Sequence, residues 1–365
     1  MNTIMDYLDW RGDLSFEVSP FNDIDALILS YFVYTELEEL NIKDRISIEE
    51  ASILFFKTKN KEDILKKKSM TKMAPFLLEK MSKTNRFKNL MIHNIFFYIN
   101  EEIETQFMAL CIDINENTLF ISYRGTDETI VGWKEDFNMT FLEETPGQKN
   151  SINYLNNLNL ENKKIYIGGH SKGGNLALYA IVHSLEKIRN KLIKAYNFDG
   201  PGLSIEILKS KNYMEVKDKT LLVVTNNSII GRLFEYEGNI KIIDSNAKLL
   251  HEYHDSLLWK VLGTNFVELN EFTEQSTLLI TSIKETLKEI DLNQRKEVIN
   301  AIFKIIDDCN IKIVDDFTNI SLQTIFDAVK SNNLIPQETK SMFWLIVRKY
   351  IEVNTQLKKE LKNRA

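Results

Sequence analysis

Gly168-Gly169-His170-Ser171-Lys172-Gly173-Gly174 is the stretch of this sequence best equipped for covalent chemistry. The apolar run Ile165-Tyr166-Ile167 leads straight into it, and a helical pattern opens behind it at Asn175-Leu176-Ala177. A serine on a sharp turn between strand and helix, with small residues two before and two after, is a nucleophile elbow. The glycines let strand and helix approach, so the hydroxyl stands clear at the C-terminal edge of a sheet, beside a helix N-terminus. A phosphate-binding loop would need Gly-x-x-x-x-Gly-Lys-Ser/Thr. Gly168 and Gly173 are followed instead by Gly174-Asn175, so that reading fails.

A serine hydroxyl is a weak nucleophile at neutral pH and needs a general base within hydrogen-bond reach. Five histidines are on offer. Where an elbow of this kind is used, the chain order is nucleophile, acid, histidine, which removes His93 and His170. His183 lies on the helix behind the elbow, away from its N-terminal end. His251 and His254 remain, in Leu250-His251-Glu252-Tyr253-His254-Asp255-Ser256, and residue types alone leave the two open.

The elements that must position these groups follow from glycine placement and periodicity. Of 13 glycines, nine fall between Gly125 and Gly202 and none after Gly263. Glycine marks tight turns and close approaches, so the middle of the chain carries the demanding loops. Residues 1–85 read as a helical segment. Asn22 or Asp23 caps a helix through Ile24, Leu27, Ile28, Tyr31 and Phe32, and Ser47 with Glu50 forms a capping box. The Lys-rich stretch 57–88 reads as a solvated face, the alternative being a basic-rimmed flap. Strands are expected at Ile95–Ile99, Gln106–Ile112, Thr118–Tyr123, Lys164–Gly168, Ile193–Phe198, Thr220–Thr225 and Ile240–Asp244. Helices are expected around Ile152–Leu158, at Gly174–Ile188 and near Ser204–Lys209. Alternating strands and helices call for an α/β fold with a mostly parallel sheet covered on both faces, here spanning 86–262. Residues 263–365 have helical spacing throughout, including Phe317–Val329 and Met342–Leu361, and form a helical C-terminal domain.

The 365 residues carry 46 Lys+Arg against 52 Asp+Glu, a net charge of −6, which gives no support to a dedicated nucleic-acid binder. Cys111 and Cys309 make no disulfide framework and match no zinc spacing. No metal or cofactor is called for. Met1-Asn2-Thr3-Ile4-Met5-Asp6 has no basic region leading into an apolar run, and Ala26–Tyr34 is too short to span a bilayer. A cytoplasmic location is the expectation.

Ile121-Ser122-Tyr123-Arg124-Gly125-Thr126-Asp127, with Trp133 and Asp136-Phe137, resembles the segment preceding the elbow in class 3 (fungal triacylglycerol) lipases. More broadly, four further stretches resemble an uncharacterised family of bacterial α/β-hydrolase-fold proteins related to those lipases. They are Met5–Gly12, the elbow, Phe198-Asp199-Gly200-Pro201-Gly202 and His254-Asp255, and the resemblance runs over residues 1–262. It implies an α/β-hydrolase core and a serine hydrolase cleaving an acyl ester with an apolar chain, such as a lipid or lysophospholipid. It implies an oxyanion hole from the main-chain N–H and hydroxyl of Thr126 and the main-chain N–H of Lys172, leaves Arg124 as the partner of a buried carboxylate or carbonyl, and favours His254 over His251.

The acid departs from the lipase pattern. The loop where those enzymes place it reads Thr225-Asn226-Asn227-Ser228-Ile229, with no carboxylate. Asp199, at the end of the preceding strand, is the best substitute, with Asn227, Asp244 and Asp255 as alternatives. A scaffold without catalysis, acting as a binding module, and a thioesterase or amidase with the same triad are the competing functions. The partners this reading allows are an acyl substrate, a transient membrane surface, and a protein or second copy on the C-terminal helices; nucleic acid is not among them.

Overall fold

Ile, Leu, Phe and Tyr dominate the segments between residues 91 and 243 that become the strands of one sheet. The computed structural model describes residues 2–40, 42, 44–127, 129–308 and 337–364. In chain order the strands are β1 Ile46–Ser47, β2 Met91–Asn100, β3 Thr105–Asn115, β4 Thr118–Tyr123, β5 Lys164–His170, β6 Leu192–Phe198, β7 Thr220–Thr225, β8 Asn239–Ile243, β9 Val261–Leu262, β10 Asn265–Phe266 and β11 Glu268–Leu269. Among the described residues, a nine-stranded sheet runs β1-β2-β3-β4-β5-β6-β7-β8-β11, and β9 and β10 make a separate antiparallel pair. β4 through β8 are parallel, whereas β1/β2, β3/β4 and β8/β11 are antiparallel. The fold class is α/β with a mostly parallel, mixed sheet.

The helices are α1 Ile4–Arg11, α2 Asp23–Tyr31, α3 Ile48–Thr58, α4 Lys61–Lys66, α5 Ala74–Met81, α6 Ile130–Asn138, α7 Pro146–Asn157, α8 Lys172–His183, α9 Glu186–Arg189, α10 Ile205–Leu208, α11 Lys211–Val216, α12 Glu274–Lys288, α13 Leu292–Asp308 and α14 Gln337–Arg364. Period-two alternation sends neighbouring side chains to opposite faces of the sheet. Phe120, Tyr196 and Phe198 join α1, α2 and α5 in one apolar cluster; Ile121, Ile167 and Ala195 join α8 and Leu155 of α7 in the other. The helix expected over Gly174–Ile188 is two, because Ser184 and Leu185 take extended backbone between α8 and α9. Phe317–Val329 and Cys309 lie outside the described residues, while Met342–Leu361 falls within α14.

The described chain divides into two units. The first holds 1–99, 106–125 and 147–272, and so the sheet and α1–α5 and α7–α11. The second holds 100–105, 126–146 and 273–365, where Ile130 of α6 packs with Ile299, Phe303 and Ile306 of α13. Thr129 caps α6 through Gly132 N–H, and Phe137 meets Phe303 edge-on at 5.7 Å. Among the described residues, no helix is long and apolar enough to cross a membrane.

One buried ion pair fastens the N-terminal helices. The side chains of Asp25 and Arg86 are both fully inaccessible. Arg86 donates from Nε to Asp25 Oδ1 at 2.7 Å and from Nη2 to Oδ2 at 2.5 Å, and its Nη1 reaches the Ser19 carbonyl at 2.8 Å. Tyr7 hydroxyl and Asn22 N–H complete the carboxylate's shell, both at 2.9 Å. Burial works against the guanidinium charge, but Asp25 outweighs it and holds Arg86 above its ordinary pKa. Removing one partner strands the other charge in the interior, which costs about 3–5 kcal/mol. Arg86→Met is therefore expected to lower unfolding free energy by about that amount in urea titration, whereas Lys66→Met, at an exposed pair with Asp63, changes it by less than about 1 kcal/mol.

Candidate active site

β5 ends at His170 and α8 begins at Lys172, so Ser171 alone makes the turn. Its backbone has φ 58 and ψ −133, a conformation that non-glycine residues rarely adopt. Such strain costs of order 1–3 kcal/mol and persists only where the surroundings impose it. Here a Cβ at Gly169 would lie within 3.0 Å of Gly173 backbone and of the Tyr123 carbonyl. One at Gly173 would lie within 3.0 Å of the Tyr123 carbonyl and of Gly125 N. Strand, helix and the end of β4 therefore meet backbone to backbone. Ser171 N–H is anchored on the Phe198 carbonyl at 2.9 Å.

Asp199 follows β6 directly, also at positive φ (52), and is 1% exposed. Its Oδ2 lies 2.6 Å from His254 Nδ1. Its Oδ1 accepts from the Ser228 hydroxyl and, at 3.2 Å, from Gly231 N–H. The turn behind it is tied down by buried amides. Asn197 Oδ1 accepts from Gly200 N–H at 2.7 Å, and Asn175 Nδ2 donates to the Gly202 carbonyl at 2.7 Å while Gln148 donates to its Oδ1 at 2.9 Å.

His254 ends a 3-10 turn, Leu250–His254, and its Nε2 lies 2.9 Å from Ser171 Oγ. The preceding Tyr253 carbonyl accepts from Trp259 Nε1 at 3.0 Å and from Thr225 Oγ1 at 3.3 Å. The carbonyl of His254 itself faces His170 Nε2 at 2.8 Å. Hydroxyl, imidazole and carboxylate thus stand in one line, the arrangement that lets a serine pass its proton to a ring whose tautomer a carboxylate fixes.

Residues 81–304, more than half of the chain, match the Mbeg1-like family. The chain belongs to that family. The match takes in Ser171, Asp199 and His254; it starts after most of the N-terminal helices and runs past residue 262, where the sequence resemblance ended. The chain is also similar to the crystal structure of M37 lipase, at 18% identity over 57% of this chain and 69% of that one, with a TM-score of 0.35. No curated protein matches it.

The other candidates fall elsewhere in this Mbeg1-like chain. His251 is exposed. Asp244 pairs with Lys260 at 2.6 Å, and Asn227 is half-buried in the loop behind β7. Lys172 supplies the first N–H of α8, and the first-turn N–H groups of a helix lack intrahelical partners. Its buried side chain turns away to Gln106, bonding Oε1 at 2.9 Å and the carbonyl at 3.0 Å. Thr126 belongs to the second unit, where its hydroxyl donates to Asp136 at 2.5 Å. Arg124 is 3% exposed and pairs with Glu38 at 2.6 Å. Among the described residues, no group of three or more His, Cys, Asp or Glu could hold a metal ion. Sequence reasoning missed Ser228, Gly231 and Asn175, whose partners are distant in the chain, and Trp259 and Asn197, whose partners Tyr253 and Gly200 are near but belong to no motif.

Asp255 caps the 3-10 turn Ser256–Leu258 by accepting from Leu257 N–H at 3.0 Å. Burial pushes its carboxyl up to about 6, against the opposing pull of that bond and of His254. A carboxyl with a raised folded-state pKa binds its proton more tightly in the folded than in the unfolded chain. Its contribution to stability is therefore lost as pH rises through the interval from about 4 to about 6. Two pKa units correspond to about 3 kcal/mol. Asp255→Asn keeps an acceptor for Leu257 and is expected to flatten this part of the stability–pH profile and to raise the urea midpoint at pH 7.

Proposed function

We propose that this chain is a serine hydrolase that cleaves an acyl ester through an acyl-enzyme. The observation that carries the reading is the run of contacts from Ser171 Oγ to His254 at 2.9 Å and on to Asp199 at 2.6 Å. Ser171 Oγ attacks the acyl carbonyl while His254 Nε2 takes its proton. Asp199 holds the Nδ1–H tautomer and stabilises the imidazolium. The tetrahedral oxyanion is received by the main-chain N–H of Lys172 at the start of α8, such a donor being worth roughly 2.7–4 kcal/mol in serine proteases. Collapse returns the proton to the leaving alcohol and leaves Ser171 acylated. Water, deprotonated by His254, then attacks the ester carbon, and the acid product departs as Ser171 regains its proton.

The resemblance of 121–137 to class 3 lipases favours an ester with an apolar acyl chain, and a panel of esters graded in chain length would rank substrates. A fluorophosphonate is expected to modify Ser171 stoichiometrically, seen as one added mass on the intact protein and lost in Ser171→Ala. Absence of that adduct on folded protein would sink the reading.

The acid gives the sharpest kinetic test. Replacing such a carboxylate by its amide in a serine protease costs about 10⁴ in kcat, because the wrong tautomer then prevails. Asp199→Asn should lower turnover by a comparable factor with the circular dichroism spectrum unchanged, and Asn227→Ala should change it little. Triad effects are strongly non-additive, so Ser171→Ala alone should remove nearly as much activity as Ser171→Ala with His254→Ala.

A further inference from the structure

We propose that His170 is a positioning residue of this site: its Nε2–H holds the main-chain carbonyl of His254 and thereby sets where the base's ring stands. The inference rests on the reading of Ser171 and His254 as nucleophile and base. His170 occupies the variable position before the serine in the elbow, and chain order rules it out as the base itself.

The geometry assigns it a different task. His170 is 4% exposed, and its Nε2 lies 2.8 Å from the His254 carbonyl oxygen. A carbonyl oxygen only accepts, so Nε2 carries the hydrogen. On the other side of the ring, the Tyr34 hydroxyl lies 3.2 Å from both Nδ1 and the His170 carbonyl. Trp259 and Thr225 grip the carbonyl of Tyr253, one residue earlier. They fix the approach of the turn, while His170 fixes the peptide that follows His254.

The surroundings keep this donor in a single state. The titratable groups facing the ring are Tyr31 and Tyr34, at centroid distances of 5.8 and 5.9 Å, and His254 at 4.7 Å; Trp259 adds an apolar face at 6.1 Å. Asp255 lies next to His254 in the chain. Burial, and then the charge His254 would carry, press the His170 pKa well below the ordinary imidazole value. The ring therefore stays uncharged while its neighbour becomes an imidazolium, and Asp199 meets that charge without a competing cation stacked on it.

Two measurements test this. In the wild type at neutral pH, ¹⁵N NMR of the imidazoles should show His170 as the Nε2–H tautomer, a readout that does not depend on activity. An Nδ1–H or doubly protonated ring would overturn the proposal, even if Ser171 proves to be the nucleophile. For kinetics, His170→Leu removes the donor and His170→Gln places an amide N–H near the same point. A displacement of about 1 Å in a reacting group costs on the order of 10²-fold. His170→Leu should therefore slow fluorophosphonate acylation of Ser171 by about that factor and lower kcat for an ester far more than it changes KM. His170→Gln should recover most of the loss. Wild-type acylation rates in His170→Leu, or a Gln variant as slow as Leu, would overturn it. Should His170→Leu fail to fold, the Gln variant and the wild-type tautomer still decide. If wild type takes no fluorophosphonate while the tautomer is as expected, the hydrolase reading fails and the structural contact stands.

Discussion

At positions 169 and 173 there is no room for a side chain, because backbone from α8, from the end of β4 and from Arg124 and Gly125 behind it already fills the space a Cβ would take. That exclusion fixes the crossing of strand and helix, and Ser171 is left to make the turn in a strained conformation. Its main chain is then registered against β6 through the Phe198 carbonyl. Because Asp199 is the next residue after Phe198, the serine and the carboxylate are placed by the same strand end. Distances across the site are in this way inherited from sheet geometry, which is stiff, and only the histidine arrives on a loop.

The loop compensates with contacts that sheet strands obtain for free. Tyr253 and His254 present successive carbonyls, and three side chains from β5, β7 and the segment behind the turn bond to them. A 3-10 turn of five residues has little intrinsic stability, so its single conformation comes from these partners and from the burial of Trp259.

How much of this was legible in the sequence follows from range. The elbow was legible because strand, glycines and helix are adjacent in the chain, and β7 was read to the residue because its apolar run is bounded by Lys219 before Thr220 and by Asn226-Asn227 after Thr225. The caps at Asn22 and Ser47 were legible for the same local reason. The helix α6 was not: Gly132 and a mixed charge pattern hide it, and its apolar partners sit on α13, more than 150 residues away. Extended edges such as β1 and β11 are two residues long and exist only through pairing. Within the site, Ser228, Gly231 and His170 carry no motif of their own, since each is defined by the one atom it faces.

The loop behind β7, Thr225-Asn226-Asn227-Ser228-Ile229, shows what holding the carboxylate on β6 requires of its neighbour. Without a carboxylate there, the residues Ser228 and Gly231 supply donors instead, and both donors converge on Oδ1 of the carboxylate that β6 provides. A buried carboxylate with unfilled lone pairs would be costly. Two neutral donors on one oxygen satisfy that oxygen without cancelling the charge, and the other oxygen is left to the imidazole. Replacing the donors by a second carboxylate in this loop would set two like charges against each other beside His254. Acid on one strand and hydrogen-bond donors on the next are therefore coupled choices: once Asp199 takes the charge, the loop that follows β7 is better off with hydroxyl and backbone N–H than with an acid of its own.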